Sequence, residues 1–164
     1  MQITRLLLIF VVAFGLSACA SKFKTYDGPE VTRIYVLKGE RRMLLMNNDK
    51  TLKDYRIGLG FAPVGDKKFE GDGRTPEGDY FIDRRNPESR YHLSIGLSYP
   101  APADIAEAHA LGVSPGGDIF IHGRGKFYQK GRDDWTAGCI AVKDEEMEDI
   151  YAMVRDGTPI TVLP

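Results

Sequence analysis

Beyond residue 30 the chain is a succession of short apolar runs broken by turn-forming residues. Val31 to Leu37 and Arg41 to Met46 are two strand-like runs on either side of Lys38-Gly39-Glu40, which predicts a hairpin, and Lys53 to Leu59 continues as a third strand. Asn47-Asn48-Asp49 supplies the second turn. From Phe61 to Gly78, glycine, proline and charged residues dominate before the chain enters the apolar Tyr80-Phe81-Ile82. Tyr91 to Tyr99, Asp118 to His122 and Pro159 to Leu163 read as further strands.

Two helices are expected. Pro102 to Leu111 has proline at its start and Gly112 just past its end. Asp144 to Val154 opens with Asp144, Glu145 and Glu146, which favour the positive end of the helix dipole, and carries Met147, Ile150, Tyr151 and Val154 at i, i+3, i+4, i+7 as a core stripe. Strands outnumber helices, so the class is mainly β with short helices, an α+β domain without internal repeats.

The first twenty residues break this pattern. Arg5 precedes an apolar run from Leu6 to Leu16, too short to span a bilayer comfortably, and Leu16-Ser17-Ala18 places small residues before Cys19. A secretory signal cut near Ala18 and an uncleaved anchor are the plain alternatives. Leu-Ser-Ala-Cys resembles the lipobox of bacterial lipoproteins, and that reading is favoured. It makes residues 1–18 a leader and Cys19 the lipidated N-terminus. Residues 19–30, polar and broken by Gly28-Pro29, become a tether to a domain over 31–164. Ala20, rather than aspartate, after the cysteine points by resemblance to the outer membrane, with the protein lipid-anchored in the periplasm.

Composition narrows the function. The 164 residues carry a net charge of −1, with no long basic block, which argues against bulk binding to nucleic acid. With Cys19 lipidated, Cys139 is the only thiol left in an oxidising compartment; a buried structural cysteine and a Cys19–Cys139 disulfide are the competing readings. No H-E-x-x-H or H-x-H occurs, and His122 with Cys139 lacks a convincing third ligand, so neither metal nor other cofactor is expected. The glycine-rich Gly71-Asp72-Gly73 stretch lacks a phosphate-loop pattern.

The informative segment runs from Ile121-His122-Gly123 through a polar loop to Trp135-Thr136-Ala137-Gly138-Cys139-Ile140-Ala141-Val142. A thiol attacks as thiolate, and a neighbouring imidazole that takes its proton is the usual means of activation. A strand end and a returning loop can bring His122 and Cys139 together. Gly138 allows unusual dihedrals, so amides near Gly138, Cys139 and Ile140 are candidates to face a developing oxyanion.

These residues resemble a known family. His122-Gly123 followed by Thr136-Ala137-Gly138-Cys139-Ile140 is similar to the H-G…[ST]-x-G-C-[IV] signature of the YkuD-type L,D-transpeptidase catalytic domain, and Thr75-Pro76-x-Gly78 before a strand extends the likeness. Asp133-Asp134-Trp135 and Asn86-Pro87 with Tyr91-His92-Leu93-Ser94 resemble its YafK-like branch. The resemblance implies a β-sandwich-like fold and a peptidoglycan stem-peptide substrate. It makes Cys139 the nucleophile, His122 the base and Gly123 the carbonyl that orients the imidazole, with Thr136, Gly138 and Ile140 as motif positions. Many members follow the cysteine with an apolar residue and then arginine, where this chain has Ala141. The reaction expected is acyl transfer through a thioester at the third-position diamino acid. The alternatives are a hydrolase that releases a peptidoglycan-linked envelope protein or trims stem peptides, and a non-catalytic lipoprotein that binds the wall.

Arg124, Lys126, Lys130 and Arg132 lie between base and nucleophile, where a solvated face and contact with substrate carboxylates compete as readings. Tyr128 and Phe127 are candidates to line a lid, and Trp135 to pack the loop. His92 is a candidate for the cleft, His109 reads as a surface residue, and Arg84, Arg85 and Arg90 as surface charges.

Overall fold

Lys38-Gly39-Glu40 turns the chain as its pattern predicts. Strands β1 (Arg33–Leu37) and β2 (Arg42–Asn47) pair antiparallel with Leu37 opposite Arg42, and β3 (Lys50–Arg56) adds to β2 after the turn at Asn48. The computed structural model describes residues 21–128 and 133–164; the leader, Cys19 and Arg132 lie outside them. Five more strands follow: β4 (Gly78–Asn86), β5 (Ser94–Leu97), β6 (Phe120–His122), β7 (Ile140–Ala141) and β8 (Pro159–Leu163). Helix α1 (Pro102–Ala110) separates β5 from β6, and α2 (Asp144–Met153) separates β7 from β8.

The class is α+β, as expected, and the strands form one curled eight-stranded sheet in the order β3-β2-β1-β8-β4-β5-β6-β7, where the resemblance implied a β-sandwich-like arrangement. The sheet curls into a half-barrel because the chain leaving β3 crosses to the opposite edge. There Gly58 and Ala141 exchange amide hydrogen bonds of 2.8 Å in both directions, and Phe61 N–H donates to Thr136 at 2.9 Å. Only glycine fits at position 58, where a Cβ would overlap the carbonyl oxygen of Asp133. Ile34, Val36, Met43, Leu45, Ile82, Ile95, Ile121, Ile160 and Val162 fill the core between the sheet and α2.

Three strand boundaries depart from the sequence pattern. β3 begins and ends earlier than Lys53–Leu59, because Asn48, at φ +50°, starts the return at once and residues beyond Arg56 are drawn into the crossover. β4 extends well past Tyr80–Ile82, and β5 is shorter than Tyr91–Tyr99 because a turn occupies its start: Leu93 N–H donates to Tyr91, and His92 has φ +76°. β7, only two residues long, has no periodicity to detect.

Helix α2 buries Met147, Ile150 and Met153, with Val154 just beyond it, whereas Tyr151 is half-buried and carries the Arg85 guanidinium on its ring at 3.9 Å. Arg85 also donates to the carbonyls of Val154 at 2.5 Å and of Tyr151, so it caps the helix C-terminus and is more than a surface charge. The polar segment over 21–30 is held to the same helix: Lys24 pairs with Asp149 at 2.7 Å and Glu148 at 3.3 Å, and the Phe23 ring lies 6.2 Å from that of Tyr151. Among the described residues no helix is long and apolar enough to cross a membrane.

The Thr75-Pro76 segment is fixed by a buried cation. Lys38 Nζ donates to Gly65 O at 2.7 Å, Thr75 O at 2.8 Å and Glu77 Oε1 at 2.7 Å, so all three of its protons are placed. Thr75 Oγ1 in turn accepts from Gly60 N–H at 3.1 Å, joining this loop to the crossover close to Gly138.

Candidate active site

The parallel pairing of β6 with β7 sets Ile121 beside Ile140 and His122 beside Ala141, which brings the His122 and Cys139 ends of the two segments to one edge. Both residues line a cavity of about 290 Å³ together with Asn86, Ser89, Arg90, Tyr91, Ser94, Asp118 and Phe120. His122 is buried and Cys139, a free thiol, is half-buried.

The imidazole is fixed on several sides. His122 Nδ1 lies 2.5 Å from Gly123 O; a carbonyl only accepts, so Nδ1 carries the proton and the lone pair of the neutral ring resides on Nε2. Tyr91 stacks on the ring at 4.5 Å, and Trp135 meets it edge-on at 5.7 Å. Burial pushes the His122 pKa down, against the upward pull of the Gly123 carbonyl and the Asp144 charge. Gly123 has no room for a side chain, since a Cβ would stand 2.5 Å from Asp144 Oδ1 and 2.7 Å from Tyr91 O.

The thiol lies between two main-chain groups: Cys139 Sγ donates to Asp118 O at 3.5 Å, and Phe120 N–H points to the sulfur. Burial pushes its pKa up, aided by the Asp118 charge, while the Phe120 amide, Lys67 and Arg84 pull it down. Both shifts favour the uncharged thiol and uncharged imidazole at neutral pH. The preceding turn requires glycine: Gly138 has φ +138°, and a Cβ there would stand 2.7 Å from Arg74 O. Thr136 Oγ1 donates to Cys139 O at 2.7 Å and accepts Gly138 N–H at 3.2 Å, so the Gly138 amide is already engaged within the turn.

The other sequence candidates separate. Among the described residues the wall of the Cys139 cavity does not include Arg124, Tyr128 or His92. Arg124 lies 4.3 Å over the Tyr128 ring, and that ring meets Trp135 at 5.9 Å, so the pair packs behind the base. His92 faces a neighbouring cavity and bonds Glu148 through Nε2 at 2.9 Å. Trp135 packs the loop as expected. Asp134 anchors that loop, taking Arg41 at 2.8 Å and the Leu59 amide at 3.0 Å. Tyr91, Ser89, Asn86 and Asp118 are cavity residues that chemical spacing alone did not single out; the Asn86 to Ser94 wording was the signal for the first three, and Asp118 had none. Arg84, read as a surface charge, reaches Asp118 at 3.2 Å and covers the Phe120 ring at 4.6 Å on the cavity rim.

Comparison with known proteins is decisive for the family. The model of the YkuD-type L,D-transpeptidase catalytic domain matches residues 31–162. This chain belongs to that family. The YafK protein of Escherichia coli (strain K12) is 28% identical over 123 residues, which are 74% of this chain and 42% of that protein, so the chain spans less than half the length of this relative. Among solved structures, the helical cell shape determining protein Pgp2 from Campylobacter jejuni is 25% identical with a TM-score of 0.63, covering 84% of this chain and 49% of its own. Bd1075 of Bdellovibrio bacteriovorus, at 22% identity and TM-score 0.59 over 86% of this chain and 50% of its own, shares the fold.

Proposed function

We propose that this domain is a cysteine acyltransferase of peptidoglycan stem peptides. The observation that carries the reading is the cavity lined by both His122 and Cys139, with the imidazole's Nδ1 committed to Gly123 O and Nε2 left basic. In the first step Cys139 Sγ attacks the carbonyl of the third-position diamino acid and its proton passes to His122 Nε2. The oxyanion is stabilised by main-chain amides around Cys139. As the carbon–nitrogen bond breaks, His122 returns the proton to the leaving amine and a thioester remains. Burial favours the neutral pair, which suits proton transfer in concert with attack.

An amine acceptor then gives a crosslink and water gives hydrolysis. Hydrolysis is supported by Ala141: buried against Gly58, it offers no guanidinium to hold an acceptor's carboxylate. A peptidoglycan-linked envelope protein is a substrate of the same chemistry. Cys19, through lipid, would anchor the domain at the outer membrane, facing the periplasm.

Incubating separate samples of purified mature protein with a carbapenem and with muropeptides or wall-linked protein tests the reading. A covalent adduct on Cys139 by intact mass is expected, and is lost in Cys139→Ala and His122→Ala with folding retained. A free thiol without adduct would overturn acylation. New crosslinks identify transfer, and freed protein or shortened stems identify hydrolysis. Cys19→Ser should release the protein from membranes with chemistry intact; retention would count against lipidation.

A further inference from the structure

A second cavity, of about 410 Å³, adjoins the one at Cys139 and is lined by Lys22, Ser89, Arg90, His92, Gly125, Lys126 and Asp144. Ser89 and Arg90 belong to both walls. Lys22, Arg90 and Lys126 supply three basic side chains to this wall against one lining carboxylate, Asp144, which keeps its charge although one of its oxygens is taken up by main-chain amides. Asp144 Oδ1 accepts the amides of Arg124 at 2.7 Å and Gly125 at 2.9 Å, and Glu148 is shared between Lys24 at 3.3 Å and His92 at 2.9 Å.

Lys22 is the unusual member. Its Nζ donates to Pro87 O at 2.6 Å and His92 O at 3.1 Å; both acceptors are uncharged, so the ammonium is held rigidly without being neutralised and keeps one N–H to give. Lys126, exposed on the turn at Gly125–Phe127, has no ion-pair partner among the described residues. Lys22 belongs to the segment ahead of β1, which is also held to α2 by the Lys24–Asp149 pair and the Phe23–Tyr151 ring contact, neither of which uses a residue of the cavity wall. A rigid excess of positive charge beside the nucleophile suits an anionic group on the peptide being attacked. With the reactive carbonyl at Cys139, the flanking one or two residues of an extended peptide reach about 3.5 Å each toward the shared Ser89–Arg90 wall.

We infer that this cavity is a carboxylate subsite for the acyl-donor peptide, completed by Lys22 from the N-terminal segment. This rests on the acyl-transfer reading of Cys139. It makes the domain selective for stem peptides whose carboxylate next to the diamino acid is free over those in which it is amidated.

The test measures binding of the two synthetic peptides, free acid and amide, to Cys139→Ala by calorimetry. The free acid is expected to bind about tenfold more tightly, the size of one charge-assisted hydrogen bond. Lys22→Ala in the same background should bring the two affinities together at unchanged melting temperature, and Lys22→Arg should keep most of the preference. Equal binding of both peptides before any change at Lys22, no binding of either, or a preference that survives in Lys22→Ala with Lys126→Ala would overturn the subsite. Failure of the unsubstituted protein to form a carbapenem adduct, with the peptide preference intact, would instead overturn the acyl-transfer reading.

Discussion

Asp144 stands directly behind Gly123: its Oδ1 occupies the space a side chain would need there and accepts the two amides that follow, at 2.7 and 2.9 Å. The carbonyl that orients His122 is therefore set by a carboxylate at the first turn of α2, whose charge also draws the imidazole pKa upward. Asp144→Asn keeps the acceptor oxygen and removes the charge. Its acylation rate should hold its plateau while the acidic limb of the pH profile moves lower, since an upward pull on His122 is gone. Asp144→Ala should in addition reduce the plateau about tenfold, roughly 1.4 kcal/mol. Pre-steady-state carbapenem acylation across pH checks both, and an unmoved acidic limb in Asp144→Asn would refute the coupling.

The two pKa directions set the pH behaviour. A base must be neutral to accept a proton, and the His122 pKa lies below that of an ordinary imidazole, so acylation should persist to lower pH than an exposed histidine would permit and fail as pH drops through the depressed value. Cys139 is pushed above an ordinary thiol, so alkylation by iodoacetamide without substrate should rise steadily through the alkaline range. Fast, pH-independent alkylation at neutral pH would show a preformed thiolate–imidazolium pair.

Thr136 ties the nucleophile's own carbonyl and the Gly138 amide through one hydroxyl. Thr136→Val preserves shape and removes both hydrogen bonds; acylation should fall about tenfold or more, with about 1–2 kcal/mol lost from stability. Thr136→Ser should behave nearly as the parent. Carbapenem kinetics and urea melts on the two variants separate the hydroxyl from the methyl group.

Ala141 tests whether arginine can simply be restored. The position is 2% exposed and reciprocally bonded to Gly58. Ala141→Arg would bury a charge in the closure of the sheet and should cost about 3 kcal/mol or more. That corresponds to a drop in melting temperature on the order of 10 °C. A variant as stable as the parent would mean that the closure can open.

What was legible in the sequence was what local pattern encodes. The first hairpin, α1 and α2 followed from turn residues, caps and the 3.6-residue stripe, and His122 with Cys139 followed from the chemistry of the motif. The crossover that curls the sheet was not legible, because the pairing of Gly58 with Ala141 joins residues far apart in sequence: Gly58 reads as the end of the third strand, and the two-residue β7 is too short to show a period. His92 broke the strand expected from Tyr91, since a positive φ at a non-glycine residue leaves no compositional mark. Tyr91 stacks on the base from a distant turn, and no spacing rule points to it. Arg85 read as a surface charge and Lys38 only as part of a hairpin turn, yet their protons are spent on carbonyls and a carboxylate that only the folded chain assembles.

The reciprocal Gly58–Ala141 bonds have a consequence for biogenesis. The short strand that follows Cys139 is completed by a piece of chain made long before it, so during folding that edge stays unfinished until the segment beyond β3 crosses over to it. Amide exchange at Gly58 and Ala141 should therefore slow together, in step with the appearance of reactivity at Cys139, as one late event in folding.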